Sequence, residues 1–197
     1  MSRFPDIRFM LSAAAPAQFP PDVGGEVAFA GRSNAGKSSA INAITQRRSL
    51  ARTSKTPGRT QLLNFFELAP ERRIVDLPGY GYADVPQQER SKWAPLIDAL
   101  ASRDSLRGLF LIVDSRRGVT AADEELIEWA QGKPVHVLLA KADKLNRREC
   151  TELLRNAAQR LSVNATTQLF SAHEKIGLEE ARRVLELWLE QKNTPAT

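Results

Sequence analysis

The stretch that decides the fold is Gly31-Arg32-Ser33-Asn34-Ala35-Gly36-Lys37-Ser38. It has the spacing G-x-x-x-x-G-K-[ST] of a phosphate-binding loop, which is meaningful where a strand leads in and a helix leads out. Residues 27–30 read as a short apolar strand, and residues 39–44 are compatible with a helix. The loop is therefore flanked by a strand and a helix, as the motif requires. The alternative is a coincidental turn rich in glycine and serine.

The residue types of this loop suit a chain of phosphates. Two glycines let successive backbone N–H groups point at one anion, and the positive end of the helix that begins near Gly36 adds to the same site. We expect Lys37 to reach the β- and γ-phosphates and the Ser38 hydroxyl to hold Mg²⁺.

Length and composition favour an ordinary globular protein. The chain has 197 residues, of which 42% are hydrophobic and 26% charged, enough for one domain with a real core. Cys150 is the single cysteine, so a disulfide framework is excluded. No apolar run approaches the roughly 18 residues of a membrane span, and no apolar signal region follows the first residues. We expect a cytoplasmic protein with no membrane partner.

Positive charge is concentrated beside the loop. The formal net charge is +5, and residues 27–66 contain no Asp or Glu. Five basic residues fall in the loop predicted after the first helix: Arg47, Arg48, Arg52, Lys55 and Arg59. One interpretation is contact with RNA phosphates, and the other is a solvated loop without a partner.

Strand and helix patterns alternate along the chain at the spacing of crossover connections. This predicts an α/β fold with a mostly parallel central sheet, helices on both faces and one antiparallel strand from a hairpin. We expect residues 1–21 to form an N-terminal extension with one added strand, residues 22–191 the domain, and residues 192–197 a frayed tail. The expected strands span residues 7–11, 27–30, 61–68, 73–76, 108–114, 135–140 and 168–171, and the expected helices include residues 89–100, 148–161, 178–188 and one that starts after Thr120.

Parallel sheets bind ligands at the carboxyl ends of their strands, so polar residues at those ends are candidate site residues. Asp76-Leu77-Pro78-Gly79 follows one such strand. There Asp76 can act on Mg²⁺ through a water molecule, and the Gly79 N–H can sense a γ-phosphate.

Two further strand ends carry residues suited to guanine. Asp143 can accept paired hydrogen bonds from N1–H and the N2 amine of guanine, which adenine does not offer. The stem of Lys141 would cover the base, and a backbone N–H of Ser171-Ala172-His173 could meet guanine O6. A P-loop kinase or ATPase that uses ATP is the alternative, and Asp143 argues against it.

These motifs resemble those of translation-factor-type GTPases, and more closely the EngB (YihA/YsxC) group of the TrmE-Era-EngA-YihA-septin superfamily. The segments that carry the resemblance are residues 31–39, 55–60, 64–66, 76–82, 141–143 and 171–172, within about residues 6–190. The resemblance implies a single P-loop NTPase domain of the Ras-like type, a G domain. It also implies a GTPase that assists assembly of the large ribosomal subunit, with a link to cell division and septation.

The resemblance also implies residues around the nucleotide. Thr60 would close on Mg²⁺ together with Ser38 in the GTP state, and Lys37, Thr60 and Gly79 would act in catalysis. Further nucleotide-binding positions are implied at Arg32, Ser33, Asn34, Ala35, Ser39, Gly58, Arg59, Gln61, Leu62, Leu77, Pro78, Ala140, Ala142, Phe170, Ser171 and Ala172.

Two residues depart from common GTPase patterns. Ala140 stands where Asn or Thr usually ties the base-reading segment to the loop, so we expect modest nucleotide affinity. Tyr80 follows Gly79 where Ras-like enzymes place a water-orienting glutamine, so we expect slow intrinsic hydrolysis. Either the ribosomal particle or K⁺ held near Asn34 could activate turnover; the alternatives are an Asn34 that braces its loop and a nucleotide-gated binding module with negligible turnover. We expect a monomer.

Overall fold

The computed structural model describes residues 4–51, 62–80, 95–130, 132–161 and 164–191. In these residues the chain forms a sheet flanked by helices. The strands are β1 (Arg8–Ala13), β2 (Gly25–Gly31), β3 (Leu63–Ala69), β4 (Arg72–Asp76), β5 (Leu106–Asp114), β6 (Val135–Ala140) and β7 (Ala165–Phe170). The helices are α1 (Lys37–Ile44), α2 (described over residues 95–101), α3 (Ala121–Trp129), α4 (Arg147–Arg160) and α5 (Leu178–Glu190).

The seven strands form one sheet in the order β1-β3-β4-β2-β5-β6-β7. Strand β3 pairs antiparallel with both β1 and β4, whereas β4, β2, β5, β6 and β7 pair in parallel. The predicted α/β class, with a mostly parallel sheet and one antiparallel hairpin strand, is confirmed. Strand β1 lies at the sheet edge, where the N-terminal segment adds a strand.

Strand β2 lies at the point where chain order reverses. The chain leaves β2 toward β3 and β4 on one side, and β5 then pairs on the other side. A crevice forms outside the carboxyl end of a strand at such a switch point, which is where α/β sheets bind ligands.

Two hydrophobic clusters cover the two faces of the sheet. On one face α1 and α5 pack against Phe29 and Phe110, whose rings stack with centroids 4.8 Å apart. On the other face α2, α3 and α4 pack against residues such as Leu109 and Leu139. Burying each such side chain contributes about 1.5–3 kcal/mol, so the clusters hold the strand ends in fixed relative positions.

Capping side chains set the starts of two helices. Thr120 and Asp123 form a capping box at α3, and Asn146 accepts from the backbone N–H of Glu149 at α4. Strand β7 begins three residues earlier than the apolar pattern predicts, because this edge strand takes its hydrogen bonds from β6 and tolerates the polar Thr166 and Thr167. Within the described ranges no helix is both long enough and apolar enough to cross a membrane.

Candidate nucleotide site

The glycine-bounded loop connects β2 to α1 and turns sharply. Gly36 has φ 113°, a left-handed conformation that glycine adopts without a steric penalty, and Asn34 has φ 64°. The α1 helix starts directly after it at Lys37, and the Ala40 N–H bonds the Gly36 carbonyl at 2.8 Å. The loop therefore places a helix N-terminus at the carboxyl end of the central strand.

Lys37 and Asp76 meet at this end of the sheet. Lys37 begins α1 and Asp76 ends β4, and the Lys37 Nζ forms an ion pair with Asp76 Oδ1. The two side chains are 13% and 11% exposed, so the pair is mostly buried but keeps a small exposed part. The lysine predicted for phosphate and the acid predicted for Mg²⁺ thus come together although 39 residues separate them.

The segment after Asp76 runs alongside the loop. The Leu77 N–H bonds the Phe29 carbonyl at 2.9 Å, and the Ser33 N–H bonds the Tyr80 carbonyl at 3.0 Å. A Cβ added to Gly79 would lie 2.8 Å from Ser33 Oγ and 3.4 Å from the Ser33 backbone, so a side chain there would require the Ser33 hydroxyl to rotate away. Gly79 therefore allows this segment to pass close to the loop.

The Tyr80 hydroxyl donates a hydrogen bond to Asp123 Oδ1. Asp123 is buried at the start of α3, and its other oxygen accepts from the Thr120 N–H and hydroxyl, both at 2.7 Å. Burial and the neighbouring Asp123 charge raise the pKa of Tyr80 well above its usual value. The phenol is therefore a protonated donor that is engaged by α3.

Lys141 links the segment that contains Asp143 to the loop. Its Nζ donates to the Asn34 carbonyl at 2.6 Å and to Asp114 Oδ2 at 2.7 Å. Asp114 ends β5 and also bonds the guanidinium of Arg116. Burial acts to raise the pKa of Asp114, but the hydrogen bonds from Arg116 and Lys141 outweigh it and hold the pKa well below its usual range.

Asp143 is oriented by the end of β7. Ser171 Oγ donates to Asp143 Oδ1 at 2.6 Å, and Lys144 lies 3.2 Å from the other oxygen. The Ser171 hydrogen bond, supported by Lys144, lowers the pKa of Asp143. The carboxylate is therefore charged and held in a fixed orientation, as an acceptor of paired hydrogen bonds requires. Phe170 and Ser171 are buried at this corner, with Ala172 half-buried beside them.

Beside the loop lies a recess of about 80 Å³. The segment 32–35 forms one wall, and Asp114, Arg116, Asp123 and Lys141 contribute to the others. The recess thus lies between the loop, the end of β5 and the start of α3.

Several expected site residues fall elsewhere. Arg47 and Arg48 are exposed after α1, and the Arg47 guanidinium donates to the Pro5 carbonyl. Arg52, Lys55, Gly58, Arg59, Thr60 and Gln61 lie outside the described residues, as do residues 192–197. Leu62 directly precedes β3, and Ala140 and Ala142 are buried at the end of β6.

Sequence reasoning missed the roles of Asp114, Arg116 and Asp123. A signal for Asp114 existed, because it is a polar residue that ends a buried strand, as Asp76 is. The contact between Tyr80 and Asp123 had no such signal, since it joins residues 43 positions apart and depends on where α3 begins.

Comparison with known proteins agrees with this arrangement. Residues 26–141 match the family described as 50S ribosome-binding GTPase. A probable GTP-binding protein EngB of Coxiella burnetii (strain RSA 331 / Henzerling II) is 47% identical over 191 residues, which cover 94% of this chain and 93% of that protein.

Solved structures share the fold. A crystal structure of a probable GTP-binding protein engB has a TM-score of 0.67 at 23% identity, covering 85% of this chain and 100% of that one. Era in complex with MgGDPNP and nucleotides 1506–1542 of 16S ribosomal RNA has a TM-score of 0.61 at 22% identity, covering 88% and 59%. At these identities the likeness concerns the fold. The sequence match to the Coxiella protein goes further and confirms the resemblance inferred from the motifs: the chain belongs to the EngB family of GTP-binding proteins and is a GTPase.

Proposed function

We propose that the chain is a GTP-operated switch that binds guanine nucleotide with Mg²⁺ at the carboxyl end of its sheet and assists assembly of the large ribosomal subunit. The observation that carries the proposal is the contact of Lys141 Nζ with the Asn34 carbonyl at 2.6 Å. It joins the segment that contains Asp143 to the loop that contains Lys37. A single nucleotide could therefore touch both.

The phosphate end of the nucleotide would lie on residues 31–39. The backbone N–H groups of the loop and the start of α1 favour an anion there. Lys37 would exchange part of its contact with Asp76 for phosphate oxygens, and Gly79 would offer its backbone N–H to the γ-phosphate. Leu77 and Pro78 would keep Gly79 in place beside the loop.

The donors near Lys37 fit Mg²⁺. The Ser38 hydroxyl and the Asp76 carboxylate are hard oxygen ligands, which Mg²⁺ prefers. Among the described residues no group of three or more His, Cys, Asp or Glu side chains could hold a metal ion. This suits Mg²⁺, which usually combines one or two protein ligands with water and substrate phosphates. When bound, the ion would neutralise charge on the transferring phosphoryl group, and Thr60 would join it in the GTP state.

The guanine base would lie between Lys141 and the segment 170–172. Asp143 would accept from N1–H and N2, a backbone N–H near Ala172 would meet O6, and the Lys141 stem would cover one face. An adenine base would leave Asp143 desolvated and without donors, which produces discrimination. Ala140, Ala142 and Phe170 would form the apolar floor of this corner.

Slow intrinsic hydrolysis is supported by the position of Tyr80. Its hydroxyl is bonded to Asp123, so it does not replace the amide with which a glutamine orients the attacking water. An activator would then raise turnover. We propose two candidates, K⁺ held near Asn34 and the ribosomal particle.

The ribosomal role is supported by the description of the matching family and by charge. The family is described as 50S ribosome-binding, and the exposed Arg47 and Arg48 begin the basic segment 47–59. In the GTP state this segment would face ribosomal RNA or its precursor. The proposed link to cell division and septation, the cytoplasmic location and the monomeric state rest on the resemblance and the composition.

Sedimentation with large ribosomal particles tests the proposal. We expect the protein to co-sediment more strongly with a non-hydrolysable GTP analogue than with GDP, and binding to fall steeply between low and moderate salt if phosphates carry the contact. The control is competition of GTP and ATP for the free protein. Equal affinity for the two nucleotides would overturn the assigned site, whereas nucleotide-independent sedimentation would overturn only the switch.

A further inference from the structure

Asp114 occupies a place that none of the recognised nucleotide motifs includes. It is the last residue of β5, it pairs in register with Ala140 of β6, and it is 7% exposed. Its Oδ2 accepts from Lys141 Nζ at 2.7 Å and from an Arg116 terminal nitrogen at 2.6 Å. Its Oδ1 accepts from the Arg116 N–H at 3.1 Å and from Arg116 Nε at 3.0 Å.

The carboxylate stays charged in this position. Burial alone disfavours an ionised acid, but the Arg116 and Lys141 hydrogen bonds hold the pKa of Asp114 well below its usual range. A permanent negative charge therefore lies beside the ammonium group of Lys141.

Lys141 is the group that this charge restrains. A lysine side chain has four rotatable methylenes and loses much freedom when it is fixed. Asp114 Oδ2 and the Asn34 carbonyl both accept from its Nζ. The aliphatic stem that leads to Nζ is therefore restricted in its conformation. Ala140 has no polar side chain to tie the base-reading segment to the loop, and the Lys141 contact supplies a tie in its place.

We propose that Asp114 is a positioning residue for the guanine nucleotide, which it serves by holding Lys141 against the Asn34 carbonyl. The proposal rests on the role given to Lys141 under the proposed function. A stem that is already ordered costs less conformational freedom when the base binds, and a fixed loop carbonyl keeps the phosphate cradle in shape. Asp114 should therefore act mainly on nucleotide affinity and residence time, not on the chemical step.

A purely structural role is the rival explanation. The Asp114 carbonyl also accepts from the N–H groups of Arg117 and Gly118, at 2.9 Å and 3.1 Å, so the residue shapes the turn after β5. In that case a substitution would act through stability, and its effect would not depend on Lys141.

The test measures dissociation of a fluorescent GDP analogue chased by excess GDP, together with GTP turnover. We expect Asp114→Ala to raise the dissociation rate about tenfold, since a charge-assisted hydrogen bond is lost. KM for GTP should rise by a similar factor, and kcat should change by less than about twofold. Asp114→Asn keeps an acceptor oxygen and the shape of the turn, so it should give an intermediate rate.

Two further variants separate the explanations. In a Lys141→Met background, Asp114→Asn should have no added effect on GDP affinity if it acts through Lys141. Asp104→Asn is the matched control, because Asp104 is exposed just before the opposite end of β5, and it should dissociate GDP like the wild type. Additive effects of Asp114→Asn and Lys141→Met, or unchanged dissociation in both Asp114 variants, would overturn the positioning role. A wild-type protein that binds no GDP would instead overturn the proposed function.

Discussion

Charged side chains gather at both ends of the sheet, and the two groups differ in how completely they are bonded. At the amino end Glu26 is fully buried, and its two oxygens accept from Arg73, Arg103 and Ser105 at 2.7–3.0 Å. The terminal nitrogens of the two arginines bond backbone carbonyls of residues 20–23. This amino-end cluster (Glu26, Arg73, Arg103 and Ser105) leaves both Glu26 oxygens fully used, so it offers a ligand little.

The carboxyl-end cluster (Lys37, Asp76, Asp114, Lys141 and Asp143) uses similar ion pairs in a more open form. Lys37 and Asp76 are 13% and 11% exposed, and Lys141 is 32% exposed. Their pairs lie where a phosphate or a base could take over one partner. Buried charge is therefore no sign of a ligand site by itself. What distinguishes the site is its place at the carboxyl ends of the strands and partners that a ligand can replace.

The largest expected effect follows from breaking the amino-end cluster. Glu26→Ala would leave Arg73 and Arg103 buried without their carboxylate, which typically costs about 3–5 kcal/mol. We expect the free energy of unfolding, measured by urea denaturation, to fall by this amount. GDP affinity below the unfolding transition should change little, because the cluster lies at the far end of the sheet.

Glu67→Ala provides the matched control for that prediction. Glu67 also pairs with an arginine, Arg8, but the Arg8 side chain is 73% exposed. Exposed pairs contribute at most about 1 kcal/mol. Equal losses in the free energy of unfolding for Glu26→Ala and Glu67→Ala would show that the amino-end cluster does not stabilise the fold more than an exposed ion pair does.

The opposite result is expected at the carboxyl end. Asp143→Ala removes the paired acceptor proposed for guanine, so GDP affinity should fall by about 100-fold or more. The melting temperature of the nucleotide-free protein should remain close to that of the wild type, because one of the two partners of the Asp143 carboxylate, Lys144, is exposed, and the other, Ser171, keeps its hydrogen bond from the Glu174 N–H. Isothermal titration with GDP measures the loss of affinity, and a thermal melt measures the melting temperature. A variant that melts early but binds GDP normally would reverse the contrast between the two ends.

Much of the fold could be predicted because its signals are local. The loop 31–38 has a fixed spacing, and the apolar runs before Asp76, Asp114 and Lys141 report buried parallel strands. The rule that polar residues at strand ends converge then brought Asp76 and Asp143 into one site hypothesis without any distance information.

The amino-end cluster could not be predicted because its members are far apart in the chain. Glu26 lies 47 residues from Arg73 and 77 from Arg103, and an acid that leads into an apolar strand reads as a solvated strand end. The same holds for the bond between Tyr80 and Asp123. Side-chain pairs of this kind depend on the register of neighbouring strands and on the residue at which a helix starts. The pattern of apolar residues in the sequence fixes these positions only to within a residue or more.

A smaller effect is expected from restoring a side-chain tie at the carboxyl end. The Ala140 Cβ lies 3.7 Å from the position that a Cβ on Gly36 would take, so an asparagine at residue 140 would extend toward the loop. We expect Ala140→Asn to tighten GDP binding by about three- to tenfold, which corresponds to one added hydrogen bond. Fluorescent GDP titration measures it, with Ala158→Asn, at an exposed position of α4, as a control of the same size. Unchanged or weaker binding in Ala140→Asn would mean that the Lys141 contact already supplies the whole tie.

The smallest effect concerns a buried group that resembles the amino-end cluster in being fully bonded. His136 on β6 has Nδ1 2.7 Å from Thr166 Oγ1 and Nε2 2.8 Å from Gln168 Oε1, so both ring nitrogens are hydrogen-bonded. The Gln168 amide donates to the Gly177 carbonyl at 2.7 Å, which orients Oε1 toward the ring. Neutral His136 therefore carries its proton on Nε2 and accepts the Thr166 hydroxyl at Nδ1.

This arrangement makes stability depend on pH. Burial lowers the pKa of His136 below its ordinary 6.5, although Gln168 and the Glu180 charge oppose the shift. Because the folded state then binds a proton less readily than the unfolded state, the contribution is complete above pH 6.5 and is lost progressively as the pH falls below it. We expect the free energy of unfolding to decline between pH 7.5 and pH 5.5 more steeply in the wild type than in His136→Gln. His173→Gln, at an exposed ring, is the control. If His173→Gln made the decline of the free energy of unfolding less steep and His136→Gln did not, the pH dependence would not come from His136.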